Sequence, residues 1–190
     1  MTVERLPDEE SIVERILAGD REAFSAVVSG YHRVVFSVAY RMTSSRAEAE
    51  DLCQEAFLRA FRSFDRFDRR MPLGPWLRRI TCNLALNHLR HRSLERRLIR
   101  ESDSERPVEE ELADTAEGPD QRLLRSQQMD ALQKALEVLP PLQRLAVTLK
   151  YVEELSTVEI AAAMEAPVNS VKTWLLRARE RLRRELADEL

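Results

Sequence analysis

Apolar residues recur along most of this chain at spacings of three and four, the repeat of a helix that buries one face. Between 21 and 42 the set is Ala23, Phe24, Val27, Val28, Tyr31, Val35 and Val38; between 47 and 64 it is Leu52, Cys53, Ala56, Phe57, Ala60, Phe61 and Phe64. Helices are also predicted over 8–18, ending at Gly19, and over 76–97, after a loop holding Pro72, Gly74 and Pro75. Further on they are predicted over 121–138, 141–152, 157–165 and 168–186, the last turning Val171, Leu175, Ala178 and Leu182 inward. Few segments alternate with period two, so the expected class is all-α.

The stretch 101–120 breaks this pattern. It has no apolar stripe and contains Pro107, Gly118 and Pro119. It divides the chain into two small helical domains, 1–97 and 121–190, joined by a flexible acidic linker, 98–120. Within the second domain, Ser156 and Glu159 have the spacing of a capping box at the start of a helix. Glu165-Ala166-Pro167 then forms a turn into the next helix, which makes a helix-turn-helix.

Charge changes the picture. The chain carries a net −3, yet 76–100 holds seven arginines against one acid, 101–120 nine acids against one arginine, and 170–184 six basic residues against one acid. Screening acts over about 8–10 Å in physiological salt, so a phosphate responds to these local blocks and not to the total. In the last helix Asn169, Ser170, Lys172, Thr173 and Trp174 are placed at base edges, and Arg177, Arg179, Arg181, Arg183 and Arg184 suit phosphates. Trp174 lies off the apolar stripe, which points to a contact outside the core. In the fourth helix Asn83, Asn87 and Arg90 share a face that can read bases, with Arg78, Arg79, Arg92, Arg96 and Arg97 for phosphates. The loop 64–74 mixes aromatics with arginines, as single-strand binders do. Phe67 reads equally as a base-stacking ring or a core residue, and Trp76 reads as core.

Candidate chemistry adds little. No Gly-rich phosphate loop and no nucleophile–base pair is visible, so neither an enzyme nor a cofactor is expected. His88 and His91 have a metal-ligand spacing with Cys82 before them, but the surroundings are basic and no further ligand is near, so no metal is expected. Two cysteines without a close pair fit a reduced compartment, and no leader or membrane-spanning run is found; a cytoplasmic location without membrane insertion is expected.

Four segments in order resemble the extracytoplasmic-function (ECF) sigma factors of bacterial RNA polymerase, in the sigma-70 family: "AGDREAFSAVVSGYHRVVFSVAYRM", "AEAEDLCQEAFLRAFRSF", "WLRRITCNLALNHLR" and "LPPLQRLAVTLKYVEELSTVEIAAAMEAPVNSVKTWLLRARERL". The resemblance covers all but the first few residues and the linker. It implies an alternative sigma factor whose first domain binds core RNA polymerase and melts the minus-ten element, and whose second reads the double-stranded minus-35 element. Asp51, Gln54, Glu55, Leu58 and Arg62, on the polar face of the third helix, are implied as the polymerase contact. Phe67, Asn83, Asn87 and Arg90 are implied for minus-ten DNA. Asn169, Ser170, Lys172, Thr173, Trp174, Arg177 and Arg179 are implied for minus-35 DNA. An anti-sigma factor is implied as a further partner. Many family members have Asp where this chain has Asn87, and Gly where it has Glu165 and Asn169. From the residues themselves two other readings stay open: a self-sufficient helix-turn-helix regulator, which predicts DNA binding without polymerase, and an interaction module that does not touch DNA.

Overall fold

The computed structural model describes residues 6–101 and 132–188, and all its regular elements are helical. The first domain is built from α1 (Glu9–Leu17), α2 (Phe24–Thr43), α3 (Arg46–Arg62), a short turn of helix over Phe64–Arg66, and α4 (Leu73–Glu101). The second holds α5 (helical over 132–137 among the described residues), α6 (Pro141–Val147) running into a π-type turn (Thr148–Val152), α7 (Thr157–Ala163) and α8 (Val168–Asp188). The predicted helices are all present where the chain is described. α4 starts three residues earlier than expected and continues to Glu101, into the segment assigned to the linker. The rest of that segment, and the first part of the helix expected over 121–138, lie outside the described residues.

Local chemistry sets the boundaries. Gly19 follows α1 at φ +97°, a left-handed conformation that only glycine adopts without strain. The Asp20 carboxylate then accepts from the backbone N–H groups of Glu22 and Ala23, at 3.1 and 3.2 Å, and turns the chain into α2. Ser45 accepts from the Glu48 N–H to start α3. The capping box at α7 forms in both directions: Ser156 Oγ accepts from Glu159 N at 3.2 Å, and Glu159 Oε2 from Ser156 N at 2.8 Å.

Two cores result. The first lies among α1, α2, α3 and one side of α4, centred on Val27, Tyr31, Ala56, Phe57 and Leu77. The second spans the chain's two halves: Val38 and Met42 of α2 and Cys82, Ala85 and Leu86 of α4 pack with Leu136, Leu145, Leu149, Ile160 and Val171. α4 therefore has two apolar faces. Leu77, Ile80 and Leu84 point to the first core, and Cys82, Ala85, Leu86 and Leu89 to the second. The two domains are packed together, an arrangement that the expectation of a flexible connection did not foresee.

Polar groups complete that junction. The last carbonyls of a helix have no partner within it. At the end of α2 the Arg41 carbonyl accepts from Gln133 Nε2 at 3.2 Å, Met42 from Arg144 Nη1 at 2.9 Å, and Thr43 from Arg92 Nη1 at 3.2 Å. Two of these three donors belong to the second domain, and a cationic donor suits the negative end of a helix. Ser37 donates to the buried Glu153 at 2.8 Å. Burial raises the Glu153 carboxyl above its usual range, against the lowering effect of the Ser37 hydrogen bond and of Arg78.

Candidate nucleic-acid interface

The strip expected on α3 lies largely at the protein surface. Asp51, Gln54, Leu58 and Arg62 are exposed, and Glu55 is half-buried. Leu58 is the apolar member, 47% exposed. Glu55 is ion-paired one turn on with Arg59 at 2.6 Å. The strip borders an open apolar groove of about 630 Å³ between α2 and α3, lined by Phe24, Val28, Phe36, Phe57 and Phe61, with Gln54 and Leu58 at its rim. The strip is legible in the sequence; the groove is not. Its signal is the width of the aromatic stripe: Phe36 and Phe61 are only partly covered.

The loop before α4 differs from one expectation. Phe67 is 7% exposed, with ring centroids 5.5 Å from Phe64 and 5.0 Å from Trp76. The short helical turn over Phe64–Arg66 carries the chain back so that this ring joins the core, where it removes more apolar surface from water than a loop position would. Phe67 is thus a core ring in this structure and is not open to a base. Trp76 packs beside it, as expected. The groups that the loop does offer are Arg66, Arg69, Arg70 and Met71, the last 49% exposed. The start of α4 is fixed from α1: the buried Glu9 carboxylate accepts from Tyr31 Oη at 2.6 Å and from Leu73 N at 3.1 Å. Burial, and then the Glu9 contact, raise the Tyr31 hydroxyl well above its ordinary value.

Along α4, Asn83, Asn87 and Arg90 share a face as the spacing required. Asn87 and Arg90 are exposed and joined by a 3.3 Å bond from Arg90 Nη1 to Asn87 Oδ1. Asn83 is half-buried, because its amide donates to Glu165 Oε2 at 3.2 Å. Arg79 is ion-paired with the other oxygen of the same carboxylate. Besides Arg79, two arginines assigned to phosphates are not presented to solvent for that role. Arg78 is buried, and Arg92 is held by Thr43 O and by Glu48 Oε2 at 2.9 Å. The side chains of Arg96 and Arg97 lie outside the described residues. His88 Nε2 lies 3.1 Å from Glu48 Oε2. Cys53 and Cys82 are buried free thiols, pushed up by burial to about 11 and about 12.

On α8, Asn169, Thr173 and Arg177 fall on the face opposite the core stripe, with Leu176 among them, and Lys172 lies on the flank beside Arg179; all are exposed. Thr173 is turned back, its hydroxyl donating to Asn169 O at 2.9 Å. Ser170 is half-buried on the flank of this face, and Arg179 is exposed on the other flank. Trp174 is partly buried and packs against the second core, so its position off the stripe reflects packing at the core's edge. Glu165, in the turn before α8, has φ +49°, a left-handed conformation that favours glycine.

Both halves match known families. Residues 27–95 match the sigma-70 region 2 model, and residues 129–182 a sigma-70 region 4 model. The chain is 33% identical to the ECF RNA polymerase sigma factor SigW of Bacillus subtilis over 178 residues, 93% of this chain and 95% of that one. To the ECF RNA polymerase sigma-E factor of Escherichia coli it is 33% identical over 183 residues, 93% of each chain. Its fold is shared with CnrH, solved in complex with the cytosolic domain of CnrY (TM-score 0.67, 20% identity, 96% of this chain and 99% of that one). The sigma factor RpoE, solved with the anti-sigma factor NepR from Bartonella quintana, is similar too (TM-score 0.63, 24% identity, 86% of this chain and 96% of that one). Among the described residues no helix is long and apolar enough to cross a membrane.

Proposed function

This chain belongs to the ECF sigma factors of the sigma-70 family, alternative sigma factors that direct RNA polymerase to promoters, and from that premise we propose how its residues divide the work. The α3 strip of Asp51, Gln54, Glu55, Leu58 and Arg62 docks on core polymerase. Asn83, Asn87 and Arg90 of α4 read the minus-ten element. The loop before α4, with Arg66, Arg69, Arg70 and Met71, holds the melted strand, and Phe67 shapes that loop from inside. Asn169, Ser170, Lys172, Thr173, Arg177 and Arg179 of α8 enter the minus-35 major groove or its phosphates, while Trp174 braces the helix. The protein contributes no catalytic residue, since polymerase performs nucleotidyl transfer, and it works in the cytoplasm. The groove between α2 and α3 takes an amphipathic helix of a cognate anti-sigma factor.

The observation that carries this reading is the pairing of each matched sigma region with one arginine-rich helix, α4 or α8, whose outer face presents amides, hydroxyls and cations. It is tested by co-elution with purified core polymerase and fragmented genomic DNA. The double variant Asp51→Lys/Gln54→Ala loses core binding with its helical content intact; normal binding would move the docking face elsewhere. Lys172→Ala/Arg177→Ala weakens promoter retention by holoenzyme and lowers its salt dependence. Unchanged retention would return α8 to a solvated face.

A further inference from the structure

The turn of the helix-turn-helix touches the reading face of the other domain. Glu165 reaches across from this turn with both carboxylate oxygens: one is ion-paired with Arg79, and the other accepts from the Asn83 amide at 3.2 Å. The residue sits at φ +49°, where a side chain strains the backbone and glycine would not. A charged side chain is thus kept at a position that disfavours any side chain, and both its oxygens are used. The groups it occupies are one cation and one amide on the basic helix, the donors that nucleic acid would take as phosphate and base edge.

We propose that Glu165 is an internal stand-in for promoter DNA: it occupies Arg79 and Asn83 in the free protein, latches the two domains together, and must leave before the first domain can take the minus-ten strand. This rests on reading α4 as the minus-ten helix. Geometry requires the release. The two promoter elements lie about 25 base pairs apart by name, or about 85 Å at 3.4 Å per step. Here the turn that leads into the minus-35 helix is in hydrogen-bond contact with the minus-ten helix, so one closed molecule cannot serve both elements. Closure also hides Cys82, 0% exposed in the core that the domains share.

That cysteine provides the test. Maleimide labelling of the full-length protein, resolved by peptide mass spectrometry, reads domain opening at Cys82 and unfolding of the first domain at Cys53, which lies in the other core. Glu165→Gly, which also relieves the turn, and Glu165→Gln, which keeps the amide contact without the charge, are expected to speed Cys82 labelling about three- to five-fold, the scale of one half-exposed ion pair with a hydrogen bond, with Cys53 unchanged. Arg79→Glu opens the protein in the same way, and the swap Arg79→Glu/Glu165→Arg closes it again. A mixed-sequence 12-nucleotide single strand should bind Glu165→Gly more tightly than the unaltered protein by a similar factor.

Cys82 labelling that ignores both Glu165 variants, or that rises only in step with Cys53, overturns the latch. Opening without tighter strand binding overturns the competition with DNA. Neither labelling readout involves polymerase, so a failed co-elution with core enzyme would sink the functional reading separately.

Discussion

Replacing Arg144 by methionine tests whether the junction between the domains holds the molecule together. The guanidinium is buried, donating from Nε to the Leu136 carbonyl at 2.8 Å and from Nη1 to the Met42 carbonyl at 2.9 Å. One bond lies within the second domain and the other joins it to the end of α2. Methionine roughly fills the volume but leaves both carbonyls without these donors. A hydrogen bond from a charged group contributes about 1.5–3 kcal/mol, so the pair represents about 3–6 kcal/mol. Part is recovered because a buried charge no longer has to be desolvated, which leaves a net loss of about 2–4 kcal/mol. Against a typical domain stability of about 5–15 kcal/mol, that is a large fraction.

The assay is urea unfolding followed through Trp76 and Trp174 separately, using the variants Trp76→Phe and Trp174→Phe. The two rings report on different cores. In the otherwise unaltered protein both should give one midpoint, because the second core takes residues from α2 and α4 as well as from α6, α7 and α8. With Arg144→Met the Trp174 transition should move to lower urea than that of Trp76. Coincident transitions with a loss below about 0.5 kcal/mol would refute the idea that Arg144 ties the domains, since no charge-assisted buried bond is worth so little.

Four further outcomes follow from the same chemistry. Tyr31→Phe removes the 2.6 Å donor to the buried Glu9 and should cost about 1.5–3 kcal/mol in thermal unfolding, with Leu73→Ala costing about 2–5 kcal/mol at the same helix start. Ser156→Ala should cost about 1 kcal/mol by removing the cap of α7. Hydrogen bonds from Ser156 hold the Glu159 carboxyl below its ordinary 4.5, so this stabilisation is present above 4.5 and lost as pH falls through the lowered value; stability curves of Ser156→Ala should show a weaker acid dependence. Glu153 behaves oppositely: burial raises its carboxyl, so the stability tied to its neutral form is full below 4.5 and lost as pH rises through the raised value. Glu153→Gln, which keeps an acceptor for Ser37, should therefore be more stable than the unaltered protein at neutral pH and converge with it below 4.5.

Much of this was legible in the sequence because helical spacing is a local property. The stripes on α2, α3 and α8 and the Ser156–Glu159 cap needed only near neighbours to be read correctly. Phe67 could not be assigned, since whether an aromatic in a loop turns inward depends on Phe64 and Trp76 meeting it. Trp174 falls off the stripe in sequence, and a stripe drawn on one helix says nothing about the width of the core beneath it. Arg78 and Arg92 looked like phosphate ligands, yet one is buried and the other closes the end of α2, a partner 49 residues away. The second apolar face of α4 was present in Cys82, Ala85, Leu86 and Leu89. It carried information about domain packing, but was hidden behind the arginines and asparagines that made the helix look like a reader alone.

That doubled face of α4 has a consequence for how the protein behaves as a colloid. When the domains part, Cys82, Ala85, Leu86 and Leu89 lose their cover, as do Leu136 and Leu145 opposite them. The opened molecule then carries a contiguous oily patch on each half, the kind of surface that drives soluble proteins to clump. Opening is safe only beside something ready to shield those patches. Cells making this protein faster than its receptors for the open form should accumulate it either closed or insoluble, and a fragment stopping before the second domain should come out of solution where the full chain does not.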